Sequence, residues 1–534
     1  MGSATSNPRI NVQLLPAAQV DAFADRRNLI VGQKGASGTA SDLTLVQDVH
    51  LLTKAEIATQ FGTDELYYRI LAWRDGIQVD DGGIIPSLDV VPADKSGTGV
   101  AATSTLTFAT DATADGSFTV SVVDEKQFTV TVAVNDTDTP TIVALAVKNA
   151  FDALTNTPFT ASVALGVVTF TADDIGTVGN YYGTKITGQA TSMTSAIVAW
   201  TGGANDPTVT TILDGIEGRR YTGLSWPEYW QSDLSIATDE LDSRFNVANG
   251  VLDGVVFHGR SATFSNAQSA VASLNSQSLV MMGNNVLAGA THKGPAVLLP
   301  PDWASSYFIG VRAKRLTTGS QIADFIIAQN AQRDATGGPS LASLPYFNTP
   351  MNETPVTLSA DLYSSSEQVT LEDAGFTHYG VNIAGNAMIM GPTVTTWTTD
   401  AGGNPNDSFH YLNYVDTGSV CREIIFSTLR AVYAQSRLTE GDLINGRAIE
   451  NEASIKEQVM QIYRVLADLA LVQAGSEAEK FFSDNTDVSI TGGSLSNRGV
   501  TINGILPIVT QLGTIDYNLS LSFALGQTGT TITV

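Results

Sequence analysis

A single cysteine, Cys421, stands in the 534 residues of this chain, in an apolar run with Ile424 and Ile425. A lone thiol forms no intramolecular disulfide and no cysteine-based zinc site. With no His or Asn beside it, it reads as a buried, inert side chain. Charge is also scarce: Asp, Glu, Lys and Arg make up 15% of the chain, with 28 basic residues against 53 acidic ones. The net charge of -25 repels a phosphate backbone, so no nucleic-acid partner is expected. Met1 to Val20 shows no basic start followed by an apolar stretch, so no secretory leader is expected. Gly2 and Ser6 fit the loose myristoylation pattern, which a flexible small-residue start explains better. No run reaches the roughly 18 apolar residues of a spanning helix, and no membrane anchor is expected.

The inventory for catalysis is equally thin. The five histidines, His50, His258, His292, His378 and His410, include no pair at metal-ligand helical spacing and no H-E-x-x-H. The phosphate loop G-x-x-x-x-G-K-[ST] is missing, and Gly32 to Gly38 matches neither nucleotide fingerprint. G-x-S-x-G is missing too. Asn135-Asp136-Thr137-Asp138 lacks the glycine and distal Glu of a calcium loop and reads as a turn before a helix. Asp80-Asp81 and Asp173-Asp174 are loop neighbours that need not converge on a substrate. The chain is therefore not expected to be an enzyme, and no catalytic, cofactor-binding or metal-binding residue is assigned.

What the chain has is apolar and small. Hydrophobic residues make up 43%, with 48 glycines, enough for sizeable cores divided over about two to four domains. Leu29-Ile30-Val31 predicts a buried strand, and Thr53 with Glu56 a capped helix ending at Gly62. A second helix is expected over Leu66–Trp73. From about Lys95 the composition turns to Thr, Ala, Val, Gly and Asp, with alternation at Phe118–Val122 and Phe128–Val134. A helix through Ile142 and Phe151 and strands at 161–165 and 167–171 follow. Strands at Tyr221–Leu224, Gly254–His258 and Ser278–Met282 alternate with helices at Leu234–Phe245 and Phe264–Leu274, an α/β layer pattern. Further along, a helix is expected over Ala323–Gln332, a long loop over Gly337–Pro355, a strand over Val394–Thr399, and helices over Glu423–Arg437 and Ser454–Val472.

The fold class expected is thus α/β and α+β multidomain. The layout is an N-terminal arm (1–22), an α/β core (23–94 and 201–390), an inserted β-rich domain (95–200), a C-terminal domain (391–524) and a C-terminal arm (525–534). Both ends read as unpaired strands: Ile10, Val12 and Leu14 alternate with polar residues, and the chain closes on Ile532 and Val534. Exposed strand edges invite association, so these ends suit strand addition between copies. The most regular alternation, Ile515, Tyr517, Leu519, Leu521 and Phe523, is the expected receiving strand.

Several stretches, in order from about 27 to 523, resemble contractile bacteriophage tail sheath proteins of the Mu-like branch. They are Arg27-Asn28-Leu29-Ile30-Val31-Gly32 with the Glu56–Gly62 helix, and Asp138-Thr139-Pro140 with Val167-Val168-Thr169-Phe170-Thr171-Ala172 and Gly176-x-x-Gly179-Asn180. Next come Thr201-Gly202-Gly203-Ala204-Asn205-Asp206-Pro207, Arg220-Tyr221 and Trp226-Pro227. Val394-Thr395-Thr396-Trp397-Thr398-Thr399-Asp400, with Gly403, Asp407, Ser408, Tyr411 and Leu412, is the most specific, and Asn497-Arg498-Gly499-Val500 completes the set. The family's Asp-Pro-Ala-Arg-Pro type run is present only as Gly338-Pro339-Ser340-Leu341-Ala342.

The resemblance implies a structural subunit that assembles with itself into a helical, six-fold sheath around a tail tube protein. It also implies baseplate and tail terminator proteins at the ends, and contraction that drives the tube through the host envelope. Localisation would be the virion, after assembly in host cytoplasm. No cofactor is implied. The terminal arms would dock on neighbouring C-terminal domains, and Arg422, Arg430, Arg437 and Arg464 would face the tube. The alternative is another virion surface or adhesin protein whose inserted domain binds glycans, for which an aromatic cluster within 95–200 would be the cue.

Overall fold

The computed structural model of the chain describes residues 9–14, 26–77, 85–188, 193–216, 219–244, 253–329, 346, 349–355, 362–381, 386–389, 391–433, 436–439, 449–491, 499–509, 520–521 and 530–531. Two strands come first, β1 (Arg9–Leu14) and β2 (Arg27–Gln33), and β2 is buried at every position after Arg27. A continuous apolar run of this kind suits a parallel strand covered on both faces. Helix α1 (Lys54–Phe61) starts with the expected reciprocal cap: the Thr53 hydroxyl accepts from the Glu56 N–H, and Glu56 Oε2 accepts from the Thr53 N–H at 2.7 Å. Gly62 ends it at φ 76, where a Cβ would lie 2.7 Å from the Gly35 backbone. Helix α2 (Glu65–Ile77) and β3 (Ser87–Ala93) follow.

Next come β4 (Ala101–Phe108), β5 (Gly116–Val122), β6 (Thr129–Val134), α3 (Pro140–Asp152), β7 (Phe159–Ala164), β8 (Val167–Ile175), β9 (Thr184–Thr187) and β10 (Ser195–Thr201). They alternate in burial, and the first sheet runs β10-β4-β8-β7. Helix α3 buries Val143, Ala144, Val147 and Phe151 beneath it. The rings of Phe151 and Phe159 meet Phe170 edge-on at 5.3 and 5.7 Å. Each such ring contributes roughly 1.5–3 kcal/mol of burial, so the aromatics of this region act as core.

The chain then returns through β11 (Tyr221–Trp226), α4 (Leu234–Arg244), β12 (Val255–Gly259), α5 (Phe264–Val271), β13 (Leu279–Gly283), β14 (Val286–Ala288), β15 (His292–Pro295), α6 (Pro301–Gln329), β16 (Pro350–Pro355), α7 (Ser365–Asp373), β17 (Phe376–Val381) and β18 (Asn386–Ile389). An eight-stranded sheet, β16-β18-β17-β13-β12-β11-β2-β3, results. It is parallel from β3 to β17 and antiparallel at the β18 and β16 edge. The second sheet of the preceding region, β14-β15-β9-β5-β6, borrows β14 and β15 from residues 286–295, so it reaches beyond 95–200. Helices α2 and α6 touch backbone to backbone. A Cβ on Gly310 would lie 2.2 Å from the Trp73 carbonyl oxygen.

The last elements are α8 (Leu412–Tyr433), β19 (Arg437–Leu438), β20 (Ile449–Glu450), α9 (Glu452–Asp468), α10 (Ser476–Asp484), β21 (Asp487–Thr491), β22 (Gly499–Ile505), β23 (Ser520–Leu521) and β24 (Thr530–Thr531). Two hydrophobic cores are present among the described residues. The larger spans the first three sheets, and the smaller joins Leu316 to α8, α9, α10, β21 and β22. Helix α8 belongs to both: Leu412 and Val415 pack in the large core, Val420, Ile424 and Leu429 in the small one.

Several elements differ from the sequence expectation: β16 falls within the loop expected over Gly337–Pro355, and Asp173-Asp174, expected in a loop, lie in β8. Helix α6 begins at Pro301 rather than near Ala323, and α8 at Leu412 rather than Glu423. Both starts are buried nearly all round, which erases the 3.6-residue alternation that marks a surface helix. The strand expected over Val394–Thr399 is not a ladder strand. Val394 bridges Tyr411 and Thr399 bridges Pro405, while the hydroxyls of Thr395 and Thr396 donate to the carbonyls of Phe409 (2.7 Å) and Ser276 (3.2 Å). Local side-chain bonds replace the ladder there.

Candidate assembly interface

The terminal sheet is built from opposite ends of the sequence. β22 is its centre, with β21 on one side and β1 on the other, both antiparallel. The register sets Ile10 opposite Gly504, Val12 opposite Ile502 and Leu14 opposite Val500. Beneath, Val488, Val500 and Ile502 are buried with Val459, Ile462, Tyr463 and Phe482. The rings of Tyr463 and Phe482 stack at 4.5 Å. Asn451 caps α9 by accepting from the Ser454 N–H at 2.9 Å. Among the described residues β1 is thus an edge strand of this sheet, and it also lies against α8.

Most of the expected receiving strand lies outside the described residues. β1 pairs with 499–505, while Ile515, Tyr517, Leu519 and Phe523 lie outside the described residues, as do Ile532 and Val534. Leu521 is in β23, opposite Thr530 of β24. The alternation of Val500 and Ile502 was the signal to read, but Asn503 and Gly504 shorten it.

Helix α8 is clamped to the large sheet by buried ion pairs that the sequence reading missed. Arg312 of α6 grips Asp416 at 2.6 Å, and the Tyr346 hydroxyl donates to Asp416 Oδ2 at 2.6 Å. Arg220 pairs with Glu423 at 2.8 Å, and Arg26 pairs with the same carboxylate. Arg422, expected to face a tube, is instead buried and pairs with Asp253 at 2.5 Å. Its apolar neighbours in α8 were the cue that it points inward. Arg464 is exposed and pairs with Glu479 at 2.6 Å, whereas Arg430 lies in α8 and Arg437 in β19 with neither side chain described. Cys421 is buried as expected, and burial pushes its thiol well up.

A second charged junction joins β8 to α2 and α6. The Glu65 N–H donates to Asp174 Oδ2 at 2.8 Å, and Lys95 pairs with Asp64 at 2.6 Å and with Asp174 at 3.4 Å. Arg69 reaches Glu65 at 3.2 Å and the Val31 carbonyl at 2.6 Å, and the Tyr229 hydroxyl donates to Glu65 Oε2 at 3.1 Å. Asp302 Oδ1 accepts from the Glu228 N–H at 2.9 Å. Burial raises Glu65, Asp302, Asp174 and Glu228 above the carboxylate range, with neighbouring acids adding to it for Glu65, Asp174 and Glu228, and Arg69 and Lys95 resisting it only in part. Asp173 and Asp124 are pushed up to about 6 by burial.

These groups bind more protons folded than unfolded once pH exceeds their unfolded pKa of about 4. Their stabilisation is full below that value and is lost as pH rises through about 6 and beyond. Asp253 behaves oppositely. Burial opposes its ionisation, but Arg422 and Arg220 hold it at about 2, so its contribution is lost only in strong acid. The urea midpoint of the full chain should therefore be higher near about pH 5 than near about pH 8. Glu65→Gln should flatten that slope. A midpoint that climbs with pH across this window contradicts the assignment.

Each histidine has a partner of its own: His258 Nδ1 sits 3.2 Å from the Trp226 carbonyl, His378 Nε2 2.8 Å from Glu372, and His410 Nδ1 2.7 Å from the Trp397 carbonyl. His292 Nε2 lies 2.8 Å from the Pro295 carbonyl, and His50 Nδ1 accepts from the Leu88 N–H. Among the described residues no group of three or more His, Cys, Asp or Glu could hold a metal ion, and no helix is long and apolar enough to cross a membrane.

No family model matches the chain. It is similar to the Mu-like prophage FluMu tail sheath protein of Haemophilus influenzae, with 23% identity over 395 residues and 72% of each chain covered. Among solved structures, the sheath tail protein of Desulfitobacterium hafniense aligns with 11% identity and a TM-score of 0.42, covering 89% of this chain and 92% of that one. That of Listeria innocua aligns with 11% identity and a TM-score of 0.44, covering 91% and 93%.

Proposed function

We propose that the chain is the structural subunit of a contractile tail sheath, polymerising helically around a tail tube and shortening to drive it through a host envelope. The observation that carries this reading is the similarity to a tail sheath protein over 72% of both chains, a span that leaves little room for a different overall architecture. The subunits would be linked by strand exchange. β1 is an edge strand of its sheet, so an identical strand from a neighbour can make the same ladder on β22. Such a contact is head-to-tail, and head-to-tail contacts that do not close propagate into helical arrays.

In this reading, residues 1–22 and 525–534 are the linking arms, 95–200 with 286–295 form an outer module, and 391–524 is the lattice-forming domain. Of the arginines first considered whose side chains are described, Arg464 is exposed and would be available to a tube. Baseplate and terminator contacts would lie at the ends of the assembly, and the particle would be part of a virion.

The adhesin reading needs exposed aromatics in the inserted region. Phe118, Phe128, Phe151, Phe159, Phe170, Tyr182 and Trp200 are buried and Tyr181 is half-buried, so the described aromatics offer no exposed cluster for it. Electron microscopy of the purified full chain is the test. Long hollow cylinders of uniform width are expected, and a preparation that stays monomeric at every concentration and salt sinks the proposal.

A further inference from the structure

The outer face of the β10-β4-β8-β7 sheet carries no charge over three rows of side chains. The register sets Val198, Thr105, Thr169 and Ser162 side by side across the four strands. The rows on either side, through Thr107 and through Thr103, hold only Ala, Thr and Val, and no member of the three rows is buried. Charge resumes at Asp173, two residues beyond Thr171 on β8. The chain as a whole is acidic, with a net charge of -25, so two copies repel each other over most of their surface. This bed, with Val198 56% exposed, is where they can meet without bringing like charges together or stripping water from any charge.

The same module carries a surface that fits the bed. Helix α3 lies on the opposite side of this sheet, with Phe151 against Phe159 and Phe170. Its inner side chains are buried, while Ile142 and Leu145, neighbours one turn apart, stay 51% and 45% exposed. Farther along, Lys148 and Asp152 pair with each other, so the stripe has no net charge at its end. A helix with its side chains is about 10–12 Å across. The bed is about 14 Å wide over four strands and about 14 Å long over three rows, room for one such helix. Its small side chains let Ile142 and Leu145 settle onto it, which completes a helix-on-sheet layer. Bed and stripe lie on opposite sides of one sheet, so each copy offers both halves of a head-to-tail contact.

We propose that the bed receives α3 of a second copy, with Ile142 and Leu145 over the row of Val198, Thr105, Thr169 and Ser162. This contact is separate from the exchange of β1 and does not require it. The bed measures on the order of 200 Å², against roughly 800 Å² per partner in a stable complex. It is therefore weak between free chains and gains strength where other links already hold copies together.

The test uses the full chain, whose single cysteine is buried and leaves introduced surface thiols to report alone. Val198→Cys and Leu145→Cys chains are mixed at high concentration and treated with a short bismaleimide. The mixture should give crosslinked dimers on a denaturing gel, at least about tenfold more than either variant alone. Adding Thr169→Glu to the Val198→Cys chain, or Ser162→Glu at the exposed edge of the sheet, buries an unpaired charge beneath the neighbour's helix. Either addition should remove the dimer while leaving the unfolding midpoint unchanged. No dimer in the mixture, equal yield from Val198→Cys alone, or a dimer indifferent to both added charges overturns the proposal. Dimers without cylinders would sink the sheath reading and leave this contact standing, and cylinders without dimers the reverse.

Discussion

Removal of residues 1–18 should abolish cylinder formation while leaving the fold of the subunit in place. The reason lies in the position of β1. It is the outer strand of the terminal sheet, and β22 keeps β21 as a partner when β1 is gone. Among the described residues the small core beneath is formed by α8, α9, α10, β21 and β22, none of which is deleted. What is lost is the six-residue ladder from Arg9 opposite Ile505 to Leu14 opposite Val500, which a neighbour's arm would supply in an assembled array.

The loss is measured as disappearance of cylinders by electron microscopy, with an unchanged circular dichroism spectrum and unfolding midpoint as controls. Cysteines placed at Val12 and Ile502, directly opposite in register, separate exchange from a purely internal pairing. Oxidised assemblies should run as a ladder of covalent multimers on a denaturing gel. A truncated chain that still polymerises, or crosslinks that remain entirely within one subunit, defeats the exchange model.

The second large effect is expected at Asp416→Ala. Asp416 is fully buried, accepts from Arg312 Nε and Nη2 and from the Tyr346 hydroxyl, and sits where α8 crosses from the large core to the small one. Without it, Arg312 is a buried cation with no counter-charge, a situation that costs about 3–5 kcal/mol. Against a total stability of roughly 5–15 kcal/mol, that is enough to populate unfolded chain. The urea midpoint should fall accordingly. Replacing both partners by apolar residues, Arg312→Met with Asp416→Leu, should recover most of the loss, because the penalty comes from the orphaned charge and not from the missing attraction. A single variant of unaltered stability would show that α8 is fastened by packing alone.

Local signals in the sequence and the structure agree wherever neighbours in sequence decide the outcome. The Thr53–Glu56 cap, the Gly62 stop, the alternation of β5 and β6, and the Leu29-Ile30-Val31 strand needed only short-range sterics and burial on a known period. The candidate interface was half legible. That Ile10, Val12 and Leu14 form a strand could be read from their spacing, but its partner could not, because strand pairing is settled by which edge the fold leaves open. The starts of α6 and α8 were hidden because a helix buried all round has no polar face to reveal its period.

The charged residues divide along the same line. Arg422 and Arg464 look alike in sequence, each on a helix with apolar neighbours. One is buried against Asp253, some 170 residues away, and the other is exposed beside Glu479. By itself the sequence determined the secondary structure of most of the chain, the scarcity of catalytic groups and the strand character of the N-terminal arm. Only the tertiary structure decided that the arm seats on β22, that α8 bridges two cores, and that clusters of charged groups at β8 and at α8 are sealed inside. The physical reason is distance. Caps and periodicity act over a few residues, whereas desolvation and ion pairing depend on every element that closes over a side chain, and no spacing rule carries that information.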